Sequence, residues 1–256
     1  MSTLALTGMG IAGLIVGSLL TALAASWPSF NPFPNVWERC STGSLLRRAI
    51  AMVPLLGTAM VLMSDRCASK LPRRVLLVEL VTGSIYAAVG AKLGVHPFLL
   101  AYLIFFSGLI VLAEIDLEQQ LIPKRIVYTT LLLCMIDLIV YSLLQDDVSR
   151  LVIGVICGII AFGFFLLIHL LIPSGMGFGD VRLSGLIGGL LGWLRVEDAF
   201  AGFISAFFLA GIVGIFLLIF AGGTRKTRIP FAPFMSTGAL VAVLWGPLII
   251  RTWLRI

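Results

Sequence analysis

Residues 151–194 read LVIGVICGIIAFGFFLLIHLLIPSGMGFGDVRLSGLIGGLLGWL. Two apolar runs flank a short polar stretch at 174–182, where glycines at alternate positions lead into Asp180. Glycine lets the backbone turn and lets another chain approach it closely. An acid at the edge of an apolar run is costly in a membrane, so Asp180 is a candidate functional residue.

Apolar runs of this kind recur along the 256-residue chain, which is 60% hydrophobic and only 12% charged. This composition excludes an ordinary soluble domain and is typical of a polytopic α-helical membrane protein. We therefore predict an all-α fold of about eight transmembrane helices. The predicted spans are residues 4–25, 75–91, 97–115, 126–144, 151–172, 181–194, 199–221 and 232–250.

One membrane-embedded domain over residues 1–256 is enough for this length. The first 25 residues lack a basic start, which predicts a retained helix rather than a cleaved signal peptide. Residues 26–74 form a basic loop without C-x-x-C pairs. Inside that loop, the short apolar stretch 49–63 contains proline and glycine and is predicted to be interfacial or re-entrant.

The net charge of +6 is explained by membrane topology rather than by nucleic-acid binding. With eight spans, most of the 18 Lys and Arg residues fall in loops on one side. The positive-inside rule assigns that side to the cytoplasm and both termini to the opposite side. Asp116 and Asp180 then both lie at the cytoplasmic interface.

Two carboxylates at the same depth can act as an aspartic dyad. Like charges close together cannot both ionise cheaply, so one carboxyl keeps its proton. The ionised carboxylate can take a proton from water, while the protonated one polarises a peptide carbonyl. The pair shares a titration, so the sequence does not assign acid and base individually. The alternative is that Asp116 and Asp180 each neutralise a nearby Lys or Arg.

Other polar residues inside apolar runs have simpler interpretations. A buried Asp137 is expected to make a structural hydrogen bond, and Glu79 is open between a structural and a functional role. His96 and His169 are isolated and are interpreted as interface or core residues. No two cysteines form a C-x-x-C pair, so neither zinc nor another metal is expected.

The two acidic motifs carry a family resemblance. GMGFGDVRL at 175–183, following IDLEQQLIP at 115–123, resembles the prepilin peptidases, the type IV leader peptidase and N-methyltransferase family of Gly-x-Gly-Asp aspartic proteases. Supporting similarity is weaker. It comprises GSLL at 17–20 followed by WP at 27–28, LVELVTG at 77–83 and IPFAPF at 229–234.

The resemblance implies a bacterial inner-membrane endopeptidase that cleaves the basic leader of type IV prepilins or type II secretion pseudopilins after Gly. Cleavage would occur on the cytoplasmic side without a cofactor. Asp116 and Asp180 would be the catalytic pair. Many members also methylate the new N-terminus using S-adenosylmethionine, and Glu79 is a candidate for that step. We expect Gly175, Gly177 and Gly179 to let the substrate backbone approach.

Departures from the family pattern fall mainly in the amino-terminal third of the chain. Many members carry two C-x-x-C pairs where this chain has only Cys40 and Cys67, so a four-thiolate zinc site cannot form. Thr21 and Ser26 stand near positions that often hold Asn and Arg, and Lys124 stands where an acid often follows the proline.

Two other functions are compatible with buried acids in membrane helices. A presenilin-type intramembrane protease also uses a Gly-x-Gly-Asp motif, but such proteases carry Pro-Ala-Leu near the last helices, and the nearest segment here is PFAP at 230–233. A proton- or cation-coupled transporter could use Asp116, Asp137 and Asp180 as an ion path.

Overall fold

The computed structural model describes residues 3–25, 74–172, 176–220 and 230–254. Within these residues it is all-helical, which confirms the predicted fold class. The helices are α1 (Thr3–Ala25), α2 (Arg74–Leu93), α3 (Leu99–Gln119), α4 (Lys124–Leu144), α5 (Ser149–Leu171), α6 (Phe178–Leu194), α7 (Val196–Phe220) and α8 (Ala232–Leu254). The predictions for the basic loop, with its re-entrant piece and its two cysteines, fall outside the described residues.

Six of these helices are long and apolar enough to cross a membrane, so the chain is a polytopic membrane protein. The apolar part of α1 is shorter, at Ala5–Thr21. Helix α6 has only 17 residues, and more than half of them are buried. Its core position suits a Gly- and Leu-rich sequence that would be short for a lipid-facing span.

The chain divides into two compact units, residues 1–95 and 96–256. In the first unit, α1 and α2 pack backbone to backbone. A Cβ added at Gly13 would lie 2.8 Å from Gly83 Cα, and one added at Gly17 would lie 2.8 Å from Glu79 Cα. Small residues at a helix interface permit this approach in lipid. The prediction of one domain over the whole chain stays a prediction.

The second unit contains α3 to α8, and its helix pairs also meet at glycines. A Cβ at Gly158 of α5 would lie 3.0 Å from Gly185 O of α6. A Cβ at Gly238 of α8 would overlap the carbonyl oxygen of Gly202 in α7. These contacts pack α5 against α6 and α7 against α8. The first turns of α6 and α8 contribute to the candidate site, together with the end of α3.

Two helix ends differ from the predicted spans in a way that affects the site. Helix α3 continues past Asp116 and ends where Gln120 adopts a left-handed conformation (φ 52°), with its N–H donating to Asp116 O at 2.9 Å. Helix α6 begins at Phe178, before Asp180. Hydropathy locates the edge of the apolar run, whereas backbone hydrogen bonding continues beyond it. Both acids therefore lie on helical turns rather than at the borders of loops.

Candidate active site

Asp116 lies in the last turns of α3 and is almost fully buried, with 5% of its surface exposed. Its Oδ2 accepts a hydrogen bond from the backbone N–H of Ala232, the first residue of α8, at 3.0 Å. The first N–H groups of a helix have no partner within the helix, so a carboxylate there satisfies a donor and favours the helix dipole. The end of α3 is thereby joined to the start of α8.

Asp180 lies in the first turn of α6, where its N–H donates to Gly177 O at 3.1 Å. Asp180 lies at the start of α6, beside the segment that follows Asp116. The Oδ1 atom of Asp180 is buried and has no hydrogen-bond partner among the described residues. A buried carboxyl oxygen without a partner is costly when the carboxyl is ionised and less costly when it is protonated.

Gly179 is packed against the segment that follows Asp116. A Cβ added at Gly179 would lie 2.7 Å from the Cβ of Ile122, closer than real Cβ contacts come. Only glycine lets the first turn of α6 rest on this segment without displacing it. The two acidic motifs are therefore held together by a direct contact between Gly179 and Ile122.

The other two glycines of the motif precede α6. Gly177 precedes α6 in an extended conformation (φ −73°, ψ 148°), which other residues also adopt. Gly175 lies outside the described residues. The role of the three glycines in substrate approach stays a prediction, with Gly179 having in addition the packing role given by Ile122.

His169, near the end of α5, holds the stretch that leads to Asp180. Its Nδ1 lies 2.8 Å from Met176 O, and its ring centroid lies 5.7 Å from that of Phe178. An Nδ1–H donor would make this a hydrogen bond from α5 to the backbone ahead of α6. The sequence predicts a core or interface position for His169, and its isolation there gives no sign of this partner.

The other acids have structural partners. Asp137 Oδ2 accepts the N–H of Ala101 in the first turn of α3 at 3.1 Å, which confirms the predicted structural hydrogen bond. Glu79, in the first unit, is 1% exposed and accepts a hydrogen bond from Ser18 Oγ of α1. This contact gives Glu79 a packing role, and its part in methyl transfer stays a prediction.

The fold and these contacts define a class: a polytopic membrane protein with two aspartates, one buried and one half-buried, on neighbouring helix ends. Residues 103–219 match the model of the type IV leader peptidase family, and this range contains both Asp116 and Asp180. The part of the chain that carries both aspartates is thus similar to the type IV leader peptidase family.

Three curated relatives each bear the name prepilin leader peptidase/N-methyltransferase. The protein of Bacillus subtilis (strain 168) is 28% identical over 69% of this chain and 68% of its own length. That of Aeromonas hydrophila is 31% identical over 73% of this chain and 64% of its own length. That of Pseudomonas aeruginosa is 29% identical over 74% and 64%. The chain thus spans about two thirds of the length of these relatives. No solved structure matches it.

The name N-methyltransferase implies S-adenosylmethionine as the methyl donor. A cavity of about 310 Å³ between α4, α5 and α6 is lined only by apolar, aromatic and glycine residues, including Leu131, Phe162 and Trp193. S-adenosylmethionine carries a sulfonium, an ammonium, a carboxylate and an adenine, which need polar partners. The cavity therefore does not fit S-adenosylmethionine.

No group of three or more His, Cys, Asp and Glu side chains that could hold a metal occurs in the described part of the chain. Cys134 is fully buried, as expected of a core residue, and its thiol donates to Ala101 O at 3.2 Å.

Proposed function

We propose that this protein is a membrane aspartic endopeptidase that removes the basic leader from type IV prepilins or type II secretion pseudopilins after Gly. The observation that carries this proposal is the contact of Gly179 with Ile122, which places the segments of Asp180 and Asp116 side by side within the range that matches the type IV leader peptidase family. Prepilins or pseudopilins are the substrates, and the lipid bilayer is the setting in which they meet the enzyme.

The reaction follows from two carboxyls that share one proton. The ionised carboxylate removes a proton from a water molecule as the water oxygen bonds to the scissile carbonyl carbon. The protonated carboxyl gives its proton to the carbonyl oxygen, and a neutral gem-diol forms. In the collapse, the C–N bond breaks, the leaving nitrogen receives a proton from one carboxyl, and the other recovers a proton from the diol. The pair ends in its starting state.

The surroundings of the pair favour this chemistry. Asp116 is nearly excluded from bulk water, and an oxygen of Asp180 is buried. Charges interact more strongly where water is excluded, and fixed dipoles there need no reorganisation during the reaction. The backbone contacts of Asp116 to Ala232 and of Asp180 to Gly177 hold both groups in place.

We infer that the pair faces the cytoplasm of a bacterial inner membrane and that both termini are periplasmic. The distribution of Lys and Arg supports this orientation. The end of α3 and the start of α6, which carry the two acids, are joined at Gly179 and Ile122, as expected of two motifs on one side. A leader peptide rich in basic residues would remain on the side where the positive-inside rule keeps it.

The two alternative functions have no observation in their favour. The transporter hypothesis requires Asp137 on the ion path, but this carboxylate accepts the N–H of Ala101. The presenilin-type reading needs a substrate without a leader, and the relatives are named prepilin peptidases.

The test is mass spectrometry of a prepilin co-expressed with this protein. We expect the mature product to begin immediately after the leader Gly, and to be absent from membranes without the enzyme. An added methyl group on the new N-terminus would show that methyl transfer, which the names of the relatives suggest, is retained. Full-length prepilin in membranes that contain the folded enzyme would contradict the proposal, as would cleavage confined to single-span proteins without a leader.

Replacing His169 tests its contact with Met176 O, in the segment ahead of Asp180. We expect His169→Phe to slow cleavage by about 3- to 10-fold, because loss of one hydrogen bond lets the segment before α6 move. His169→Asn keeps a polar side chain at the position, so we expect a smaller loss of cleavage rate than with His169→Phe. The measurement is the cleavage rate at saturating substrate. Equal rates for His169→Phe and wild type would show that the contact of His169 with Met176 O does not hold this segment for the reaction.

A further inference from the structure

The two aspartates have different surroundings, although the reaction treats them as a pair. Asp116 Oδ2 has a backbone donor, the N–H of Ala232, at 3.0 Å. Asp180 Oδ1 is buried without a partner among the described residues. A carboxylate is stabilised by donors that point at it, whereas a protonated carboxyl can itself donate to a neighbour. The difference therefore bears on which carboxyl holds the shared proton.

The donor on Asp116 belongs to the start of α8. The N–H groups of Phe234 and Met235 both turn back to Phe231 O, each at 3.1 Å, and so serve the helix itself. The N–H of Ala232 has no such internal partner and points at the carboxylate. Hydrogen bonds to an ionised acceptor are about twice as strong as neutral ones, and the helix N-terminus adds its positive partial charge.

The start of α8 is fixed from several sides. The ring of Phe231 lies 5.4 Å from that of Phe207 on α7 and 6.3 Å from that of Phe165 on α5. Ser236 Oγ lies 3.4 Å from Leu109 O of α3, which keeps the first turns of α8 beside the helix that carries Asp116. A donor held this firmly does not have to be reorganised when charge moves during the reaction.

We propose that the first turn of α8 positions Asp116 as the proton acceptor of the pair, leaving the shared proton on Asp180. This inference rests on the proposed function, and it makes Phe231 a positioning residue. The segment 229–234, which in the sequence is only a weak similarity to the prepilin peptidases, thereby gains a part in the reaction.

The division of roles specifies each proton transfer. Water gives its proton to Asp116 while its oxygen bonds to the carbonyl carbon, and Asp180 gives its proton to the carbonyl oxygen. When the C–N bond breaks, Asp116 passes its proton to the leaving nitrogen, and Asp180 takes a proton from the diol hydroxyl. Peptide and water become an acid and an amine, and no other reactant is needed.

The direct test removes the donor from α8. Ala232→Pro deletes the N–H at the first helical position, where proline is tolerated. We expect kcat to fall about 10- to 100-fold, with KM changed by about twofold or less, because the lost bond supports the reacting carboxylate and not the bound substrate. Ala232→Gly keeps the N–H, so we expect a smaller loss of kcat than with Ala232→Pro.

The matched control is Val196→Pro. Val196 is the first residue of α7 and is exposed, and the preceding Arg195 already has the extended backbone that a following proline requires. We expect this variant to keep the wild-type kcat. A wild-type kcat for folded Ala232→Pro would overturn the inference, and so would an equal loss in the control.

A second variant covers the case in which Ala232→Pro does not fold, since Ala232 is fully buried. Phe231→Ala frees the start of α8 while leaving its N–H groups, and we expect a drop in kcat that Phe231→Leu largely restores. A wild-type kcat for Phe231→Ala would overturn the inference. The proposed function has its own test: it is wrong if Asp116→Asn and Asp180→Asn still cleave the prepilin. If those variants are inactive while both α8 variants are normal, only the α8 inference fails.

Discussion

Asp180→Asn and Asp116→Asn should each slow leader cleavage by about 10⁴-fold or more, while the protein still inserts in the membrane. An amide at position 180 can neither hold nor release the shared proton, and an amide at position 116 cannot accept one from water. Asn is nearly the same size as Asp and still accepts a hydrogen bond, so the packing around both sites should survive. The measurement is the cleavage rate of a prepilin by purified enzyme in detergent or lipid.

Asp147→Asn is the matched control for these two substitutions. Asp147 lies in the exposed turn between α4 and α5 and pairs with Arg150 at 3.0 Å. The Ser149 hydroxyl, followed by Arg150, holds the pKa of Asp147 below its usual value, so its carboxylate is ionised at neutral pH. Losing this exposed charge should leave the cleavage rate unchanged. Retained cleavage by Asp180→Asn would show that this carboxyl does not take part.

The second large effect is expected at Gly179. A Cβ there would lie 2.7 Å from Ile122 Cβ, so Gly179→Ala must push the first turn of α6 away from the segment after Asp116. A displacement of about 1 Å between reacting groups can cost about 100-fold in rate. We expect Gly179→Ala to lower kcat by about 10- to 100-fold, measured with the same prepilin.

Two further variants separate crowding from other causes. Gly163→Ala, on α5, places its Cβ where nothing lies within 4 Å, so it should retain the wild-type rate. Ile122→Gly removes the clashing atom, and we expect the double variant Gly179→Ala/Ile122→Gly to cleave faster than Gly179→Ala alone. If the double variant shows the product of the two separate losses, the contact does not join the motifs in the way described.

Much of the fold follows from hydropathy, because a chain in lipid must satisfy its backbone within helices. The helix order and the approximate spans were therefore predictable. The ends of α3 and α6 were not, since hydrogen bonding continues through Asp116 and starts ahead of Asp180, where the side chains have become polar. Asp137 was predictable as a structural acid because a lone carboxylate at membrane depth requires a donor.

The site was predictable only in part. Asp116 and Asp180 could be selected from the sequence because acids beside apolar runs are rare and carry distinctive neighbours. The donor from Ala232 could not, since every residue except proline has a backbone N–H and the side chain gives no signal. The contact of Gly179 with Ile122 was also hidden. Alternate glycines indicate close approach, but only the tertiary structure shows which chain approaches.

The central claim is that Asp116 and Asp180 act as one unit in cleaving a prepilin. The most direct test is a double-mutant cycle, in which the cleavage rates of Asp116→Asn, Asp180→Asn and the double variant are measured with purified enzyme. Residues that act as a unit are strongly non-additive. We predict that the double variant cleaves no more slowly than either single variant. Losses that multiply in the double variant, or a single variant that still cleaves at the wild-type rate, would contradict the claim.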